Sequence, residues 1–260
     1  MAGRGTGQIN HNGKMVVMQD PHDPTLALNP DARWHVLKIG HEQTRVLLVD
    51  NVFARVSDVQ QLAARQTFTR EEATYYPGVR ARCPDVLRDT LLSASAGMII
   101  QAYGLPQNTR FSDQGSWLSL AATPEKALHP LQCLPHFDSQ LPTDFAVMLY
   151  ASNPPFSGTG FYRHRPTGFE NITQSRWPAF EQARKDWAHR MTKRPQSYFN
   201  HSTDEYQRLG TIDYKPNRMV VYPGTLLHSG LIDPNKDLSK SPETGRLTVN
   251  VFVSAEAKSG

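Results

Sequence analysis

His136-Phe137-Asp138 sets an imidazole and a carboxylate two residues apart, and His228 follows much later in Pro223-Gly-Thr-Leu-Leu-His-Ser-Gly230. Two imidazoles and one carboxylate can hold three positions on one face of a ferrous ion and leave the others open for O₂ and a reactant. On extended chain, residues two apart project to the same side, so His136 and Asp138 can reach one ion together. A third motif, Gly245-Arg246-Leu247-Thr248, opens the run Arg-Leu-Thr-Val-Asn-Val-Phe-Val. Strand alternation puts Arg246, Thr248 and Asn250 on one face and Leu247, Val249 and Val251 on the other. Polar side chains facing inward are costly unless they meet a ligand or each other. Arg246 offers a planar fork suited to a carboxylate, with the Thr248 hydroxyl beside it.

The elements that must position these residues change character along the chain. Residues 1 to about 30 carry Asp20-Pro21, Asp23-Pro24 and Asn29-Pro30, pairs that favour extended or disordered chain. Thr44 to Asp50 reads as a short buried strand. Ser57 with Gln60 forms a capping box for a helix to about Arg70, with Val59, Leu62 and Ala63 inward. A second helix is predicted from Asp85, just past Pro84, through Leu87, Leu91 and Ile99 to a stop at Gly104. Strands follow: Ser116 to Ala121, Phe145 to Tyr150, Met219 to Tyr222 and Arg246 to Val253, divided by turn residues such as Asn153-Pro154-Pro155 and Pro223-Gly224. Helices first and strands afterwards predict a mainly β protein with flanking helices, built on a jelly-roll-like double sheet.

One segment interrupts the strands. Trp177, Phe180, Arg184, Trp187 and Met191 recur at helical spacing within Ser175 to Arg194, an amphipathic helix if Arg184 snorkels. It belongs to a long excursion, about 163–208, that could be a lid, a packing helix on the outside, or a face for a homodimer.

Composition narrows the classes. The chain has 260 residues with 38% hydrophobic content, enough for one sizeable core. Cys83 and Cys133 are too few and too far apart for a disulfide framework or a zinc site, and suit a cytoplasmic protein. No apolar run approaches the ~20 residues that span a bilayer, so no membrane partner is expected. The net charge of +4 is concentrated between Arg163 and Arg218, where eleven Lys and Arg meet six Asp and Glu. That is too sparse a basic face for a nucleic-acid module.

With His136 and Asp138 as an HxD pair, His228 as the distal histidine, and Arg246 with Thr248 as an R-x-S/T pair, the pattern resembles the Fe(II)/2-oxoglutarate-dependent dioxygenases. In layout it is most similar to their prolyl-hydroxylase-like branch, as in a bacterial family within that superfamily. Val46 to Phe53 with the following helix, and Phe145 to Asn153 after the HxD loop, match the supporting context. The resemblance covers roughly residues 44 to 254. It implies a double-stranded β-helix (jelly-roll, cupin-like) domain over 44–254, an N-terminal extension over 1–43 and a tail over 255–260. It implies Fe(II) on His136, Asp138 and His228, 2-oxoglutarate on Arg246 and Thr248 with Tyr150 reaching it, and O₂ as oxidant. Succinate and CO₂ would be released as a C–H of a small molecule or amino-acid-like substrate is hydroxylated. Two features depart from the family: Arg246 lies eighteen residues past His228 across a polar loop, and Gly158-Thr-Gly160 replaces a Gly-Gly pair.

Other side chains have plainer readings. Arg163, His164 and Arg165 could face the barrel mouth and bind an acidic group, but read better as a solvated turn. Tyr75 to Arg80 reads as an aromatic turn that could border the site, though a turn packed on the sheet is the plainer account. Trp117 reads as core, and His129, His164, His189 and His201 as surface groups. Two further functions share these residues: a cupin-like metal enzyme using the triad without 2-oxoglutarate, in which Arg246 would meet a structural partner such as a buried Asp, and a non-catalytic interaction protein.

Overall fold

The alternation expected of the strands divides the protein into layers. The computed structural model describes residues 8–9, 15–16, 26–71, 74–153, 156–190 and 196–256. Strands β1 (Gln8–Ile9) and β2 (Met15–Val16) pair with each other. The chain continues through β3 (Arg33–Ile39), β4 (Thr44–Asp50), α1 (Val56–Ala64), β5 (Gly78–Arg82), α2 (Asp85–Tyr103), β6 (Arg110–Ala121) and β7 (Asp144–Tyr150). Then come β8 (Thr159–His164), α3 (Trp177–Arg190), β9 (Tyr206–Ile212), β10 (Arg218–Pro223), β11 (His228–Gly230) and β12 (Leu247–Glu256). Seven strands form one antiparallel sheet in the order β3-β4-β10-β7-β12-β6-β5, and three form a second in the order β11-β8-β9.

In β7, Phe145, Val147 and Leu149 point to the helices, while Ala146, Met148 and Tyr150 point to the small sheet. In β10, Met219 and Val221 take the first side, Val220 and Tyr222 the second. The helix-facing layer gathers Val59, Leu62 and Ala63 from α1 with Leu87, Leu91 and Ile99 from α2. The intersheet layer is closed by Phe161 and Ile212 of the small sheet. The fold is thus mainly β with flanking helices around a double-stranded β-helix core, in which two sheets face each other and open a cavity at one end.

Several boundaries differ from the sequence reading for identifiable reasons. The large sheet begins at Arg33, not Thr44, because β3 pairs along the whole of β4. Helix α1 starts at Val56 with Arg55 in the capping position and no side-chain cap, so Ser57 lies inside its first turn. It ends at Ala64 rather than near Arg70, because Thr69 exchanges two backbone hydrogen bonds with Arg80 of β5. Gly78 to Arg80, the end of the stretch read as a turn, therefore belongs to an edge strand, β5. Strand β9 escaped the reading altogether. Helix α2 stops where expected, at Gly104 in the left-handed region (φ 66°).

The edge formed by β3 and β4 is tied in by charge. Asp50 accepts from Arg218 Nε (2.7 Å), Arg218 Nη2 (3.1 Å) and Lys215 Nζ (2.9 Å). Hydrogen bonding to Arg218, helped by Lys215, holds its carboxyl down to about 2. Its folded value lies below the unfolded one, so the stabilisation is complete above the unfolded value and is lost as pH falls through about 2. Asp50→Asn is expected to lower the stability by about 1 kcal/mol at neutral pH, the partly exposed pair being screened. In denaturant titrations across pH, the difference from wild type should vanish near pH 2.

Candidate metal and co-substrate site

The HxD segment enters the small sheet as an extra edge. His136 donates its backbone N–H to the His228 carbonyl (2.9 Å) and accepts the His228 N–H in return (2.8 Å). His228, in β11, pairs on its other side with Phe161 of β8. The turn after β10 holds the next residues: Asp138 N–H donates to the Gly224 carbonyl at 2.7 Å and Ser139 N–H at 3.0 Å. A Cβ on Gly224 would meet the Ser139 Cβ at 3.2 Å, so this close crossing favours the smallest residue there. Phe137, between His136 and Asp138, packs edge-on against Trp177 (5.8 Å) and Phe180 (6.1 Å).

This brings His136, Asp138 and His228 together, with one potential ligand atom from each lying within 4.8 Å of the others. His228 Nε2 is 3.6 Å from Asp138 Oδ2, and His136 Nε2 is 3.9 Å from Asp138 Oδ1. These gaps are too long for hydrogen bonds, yet short enough for one ion to span. The Leu226 carbonyl lies 2.8 Å from His228 Nδ1. It can accept only from Nδ1–H, which leaves the Nε2 lone pair toward the other two groups.

Electrostatics agree. Withdrawal from bulk water pushes the His228 imidazole down to about 4. The His136 side chain, 56% exposed, opens onto the cavity; desolvation by the surrounding protein first, and then the neighbouring His228, bring it to about 4. Desolvation raises Asp138 to about 6. At neutral pH the trio therefore presents two neutral imidazoles and a carboxylate, the state in which each can ligate. The donor set fits a divalent ion of the ferrous kind, held on one face.

The same cavity, about 440 Å³, is lined by Arg246, Thr248 and Asn250 of the β12 segment. Arg246 is only 4% exposed. Its Nε donates to the Ser157 carbonyl (2.6 Å) and its Nη2 to the Gly158 carbonyl (3.1 Å). No carboxylate pairs with it among the described residues, and no hydrogen bond is made by Nη1. A floor of neutral polar groups continues from it: Asn250 Nδ2 donates to Thr248 Oγ1 (3.1 Å) and Ser119 Oγ (3.0 Å).

Tyr150 is placed differently from the expectation. Its hydroxyl is bonded to Thr159 Oγ1 (2.8 Å), its ring stacks on Tyr214 (4.5 Å), and Thr159, not Tyr150, lines the cavity. It acts behind Arg246, whose guanidinium carbon lies 5.7 Å from the Tyr150 ring and 5.6 Å from that of Tyr214.

Other readings are corrected. His164 is not a surface group: it is fully buried, with Nε2 2.8 Å from Glu205 Oε1 and Nδ1 2.8 Å from Thr167 Oγ1. His129, His189 and His201 are exposed, as read. Arg163 and Arg165 spend their Nε groups on the Gly168 and Thr203 carbonyls and do not line the cavity. Tyr75 and Tyr76 do line it, as does Arg80, so the aromatic turn borders the site. Trp117 is half-buried and carries the Arg80 (4.7 Å) and Arg82 (5.2 Å) guanidinium groups on its ring. In α3 only Phe180 is buried; with Trp177 and Arg184 it borders the cavity, while Met191 lies outside the described residues. The signal for Arg184 was present in the sequence as a lone cation on an apolar helical stripe. Arg80 was hidden because Pro77-Gly78 dominated its surroundings.

Among the described residues, no helix is long and apolar enough to cross a membrane. The family described as "Family of unknown function (DUF6445)" matches residues 30–253. A search of curated proteins finds no match. Among solved structures, the chain is similar to the non-heme alpha ketoglutarate dependent epimerase SnoN from nogalamycin biosynthesis, with 12% identity, 82% of this chain and 80% of that one covered, and a TM-score of 0.47. The carbocyclase SnoK from the same biosynthesis gives 11% identity, coverage of 83% and 80%, and a TM-score of 0.45. HygX from Streptomyces hygroscopicus, with nickel and 2-oxoglutarate bound, gives 11% identity, coverage of 82% and 84%, and a TM-score of 0.44.

Proposed function

We propose that this chain, which belongs to the DUF6445 family, is an Fe(II)- and 2-oxoglutarate-dependent oxygenase acting on a C–H bond of a small molecule or amino-acid-like substrate. One observation carries the reading: a buried guanidinium without a carboxylate partner among the described residues shares a cavity with a His-Asp-His triad. A buried unpaired charge is expensive, and a dicarboxylate co-substrate supplies the missing partner. The structural Asp that would make Arg246 a mere scaffold, as a cupin-like enzyme without 2-oxoglutarate would need, is not found among the described residues.

In this reading His136, Asp138 and His228 hold Fe(II), and Arg246 with Thr248 receives the far carboxylate of 2-oxoglutarate. When bound, the iron supplies O₂ activation coupled to decarboxylation of 2-oxoglutarate to succinate and CO₂, with hydroxylation of the substrate as the default outcome. The chain's own residues supply geometry. The Leu226 carbonyl fixes the His228 tautomer, and the bridge between His136 and His228 fixes the spacing of the two imidazoles. Ser157 and Gly158 orient the Arg246 fork. Phe137, Trp177 and Phe180 wall one side of the cavity with apolar surface, which limits water and raises the worth of each charge contact inside.

Anaerobic addition of Fe(II) and then 2-oxoglutarate to the metal-free protein tests this. A weak visible charge-transfer band that requires both additions is expected. Iron binding without the band would favour the cupin-like reading, and absence of iron binding would leave an interaction protein.

A further inference from the structure

The charges lining the cavity point to the class of substrate. Asp138 is the only acidic side chain among the described residues that line it, and it belongs to the triad. Three arginines line it with Asp138: Arg80, Arg184 and Arg246. Arg80 is neutralised by Glu71 at 2.6 Å. With the site loaded as proposed above, the two charges of the metal and that of Arg246 are cancelled by Asp138 and the two carboxylates of the co-substrate. Arg184 then remains as the one uncompensated charge among the described residues that line the cavity.

The neighbours of Arg184 leave it so. On its own helix, Glu181 pairs with Lys185 (3.2 Å) and Asp186 accepts from Gln182 (2.8 Å). Glu205, a buried carboxylate just before β9, is engaged by His164. The Arg184 guanidinium lies over an aromatic face, 5.5 Å from the centre of the Phe180 ring. Phe180 in turn packs on Phe137, the residue between two of the metal-binding candidates. Arg184 therefore stands one aromatic layer from the triad, on the wall formed by the excursion between β8 and β9. Held by ring contacts, a guanidinium keeps its hydrogen-bonding fork free for an incoming anion.

We propose that the substrate is a small anion whose charged group pairs with Arg184 while an aromatic or apolar body lies against Phe137, Trp177 and Tyr76. This rests on the oxygenase reading for what fills the other end of the cavity. It makes α3 the specificity element rather than an external packing helix. It also places the anion-recognising cation on a segment different from Arg163 to Arg165.

The test uses matched probes: phenylacetate, phenylacetamide and phenethylamine, titrated calorimetrically into protein carrying Zn(II) and 2-oxoglutarate, so that Arg246 is covered. Phenylacetate is expected to bind about tenfold more tightly than the amide, with the amine weakest. Arg184→Gln should erase the advantage of the acid over the amide, and Arg184→Lys should keep part of it. Phenyl phosphate in a parallel arm tells a phosphate preference from a carboxylate one. Equal binding of the three probes, no saturable binding of the acid, or a preference that survives in Arg184→Gln would each overturn the proposal. The same titrations in metal-free Arg246→Gln separate the two readings. An Arg184-dependent preference there, in a protein whose unmutated form takes up no 2-oxoglutarate, would sink the oxygenase reading and keep the anion site.

Discussion

Asp138→Ala is expected to lower the affinity for Fe(II) by at least about 100-fold without loss of the fold. Residues that merely orient metal ligands cost 10- to 100-fold when mutated, and Asp138 is the only anionic donor of the three. Its backbone anchor, the N–H to the Gly224 carbonyl, survives truncation to alanine, so the two imidazoles keep their positions. The stability of the metal-free protein should move the other way. Desolvation raises the Asp138 carboxyl to about 6, above the 3.8 of the unfolded chain. Between those values the folded state binds more protons than the unfolded one, so stability falls as pH rises and the charged group is a burden at neutral pH. Removing it should leave the melting temperature of chelator-treated protein unchanged or raised at pH 7, with no gain in acid. Anaerobic titration with Fe(II), or with Mn(II) as a redox-stable stand-in, reads the affinity, and calorimetric melting reads the stability. A variant that melts well below wild type in chelator would mark Asp138 as a structural residue and undo the metal assignment.

How much of this was legible in the sequence depended on the range of the forces involved. The apolar runs of β7 and β10 mark strands buried on both faces, and the alternation of β12 tells its two faces apart. The left-handed stop at Gly104 was likewise local. Ser57 misled because a helix start is chosen by what anchors the preceding chain. Here Asn217 does so, accepting from the Phe53 N–H (2.9 Å) and donating to the Phe53 carbonyl (2.8 Å) from a remote loop. The polar identity of the triad and of the β12 face could be read directly, since each residue type announces its chemistry. The partners of Tyr150 and His164 could not. Thr159 meets Tyr150 only once the two sheets face each other, and Glu205 meets His164 only once β8 and β9 are paired; β9 carries too weak an alternation, with Gly210 in its middle, to be seen alone. The recruitment of Tyr76, Arg80 and Arg184 to the cavity is tertiary in the same sense. Nothing near them in the chain says that α3 and the β5 edge converge on one opening.

Arg246→Met is expected to weaken 2-oxoglutarate binding by about 30-fold to several thousand-fold, the effect of truncating one partner of a buried charge pair at 2–5 kcal/mol. Metal affinity should hardly change, because no hydrogen bond or ion pair joins Arg246 to His136, Asp138 or His228. Ligand-induced stabilisation offers a direct reading. At a concentration 100 times its dissociation constant, 2-oxoglutarate adds about 2.7 kcal/mol to wild type, and the corresponding rise in melting temperature should be absent in the methionine variant. Arg246→Lys keeps the charge but cannot reproduce a planar fork that already spends Nε on Ser157 and Nη2 on Gly158. It should therefore fall between the two. A scaffold role for Arg246 makes the opposite forecast. Met would then strand the Ser157 and Gly158 carbonyls, lower the melting temperature with or without the keto-acid, and leave the ligand-dependent increment intact. The two roles thus separate on the increment rather than on absolute stability. That is the quantity to measure, because a buried cation with two carbonyl partners and no counter-ion among the described residues is stabilised by one term and destabilised by the other.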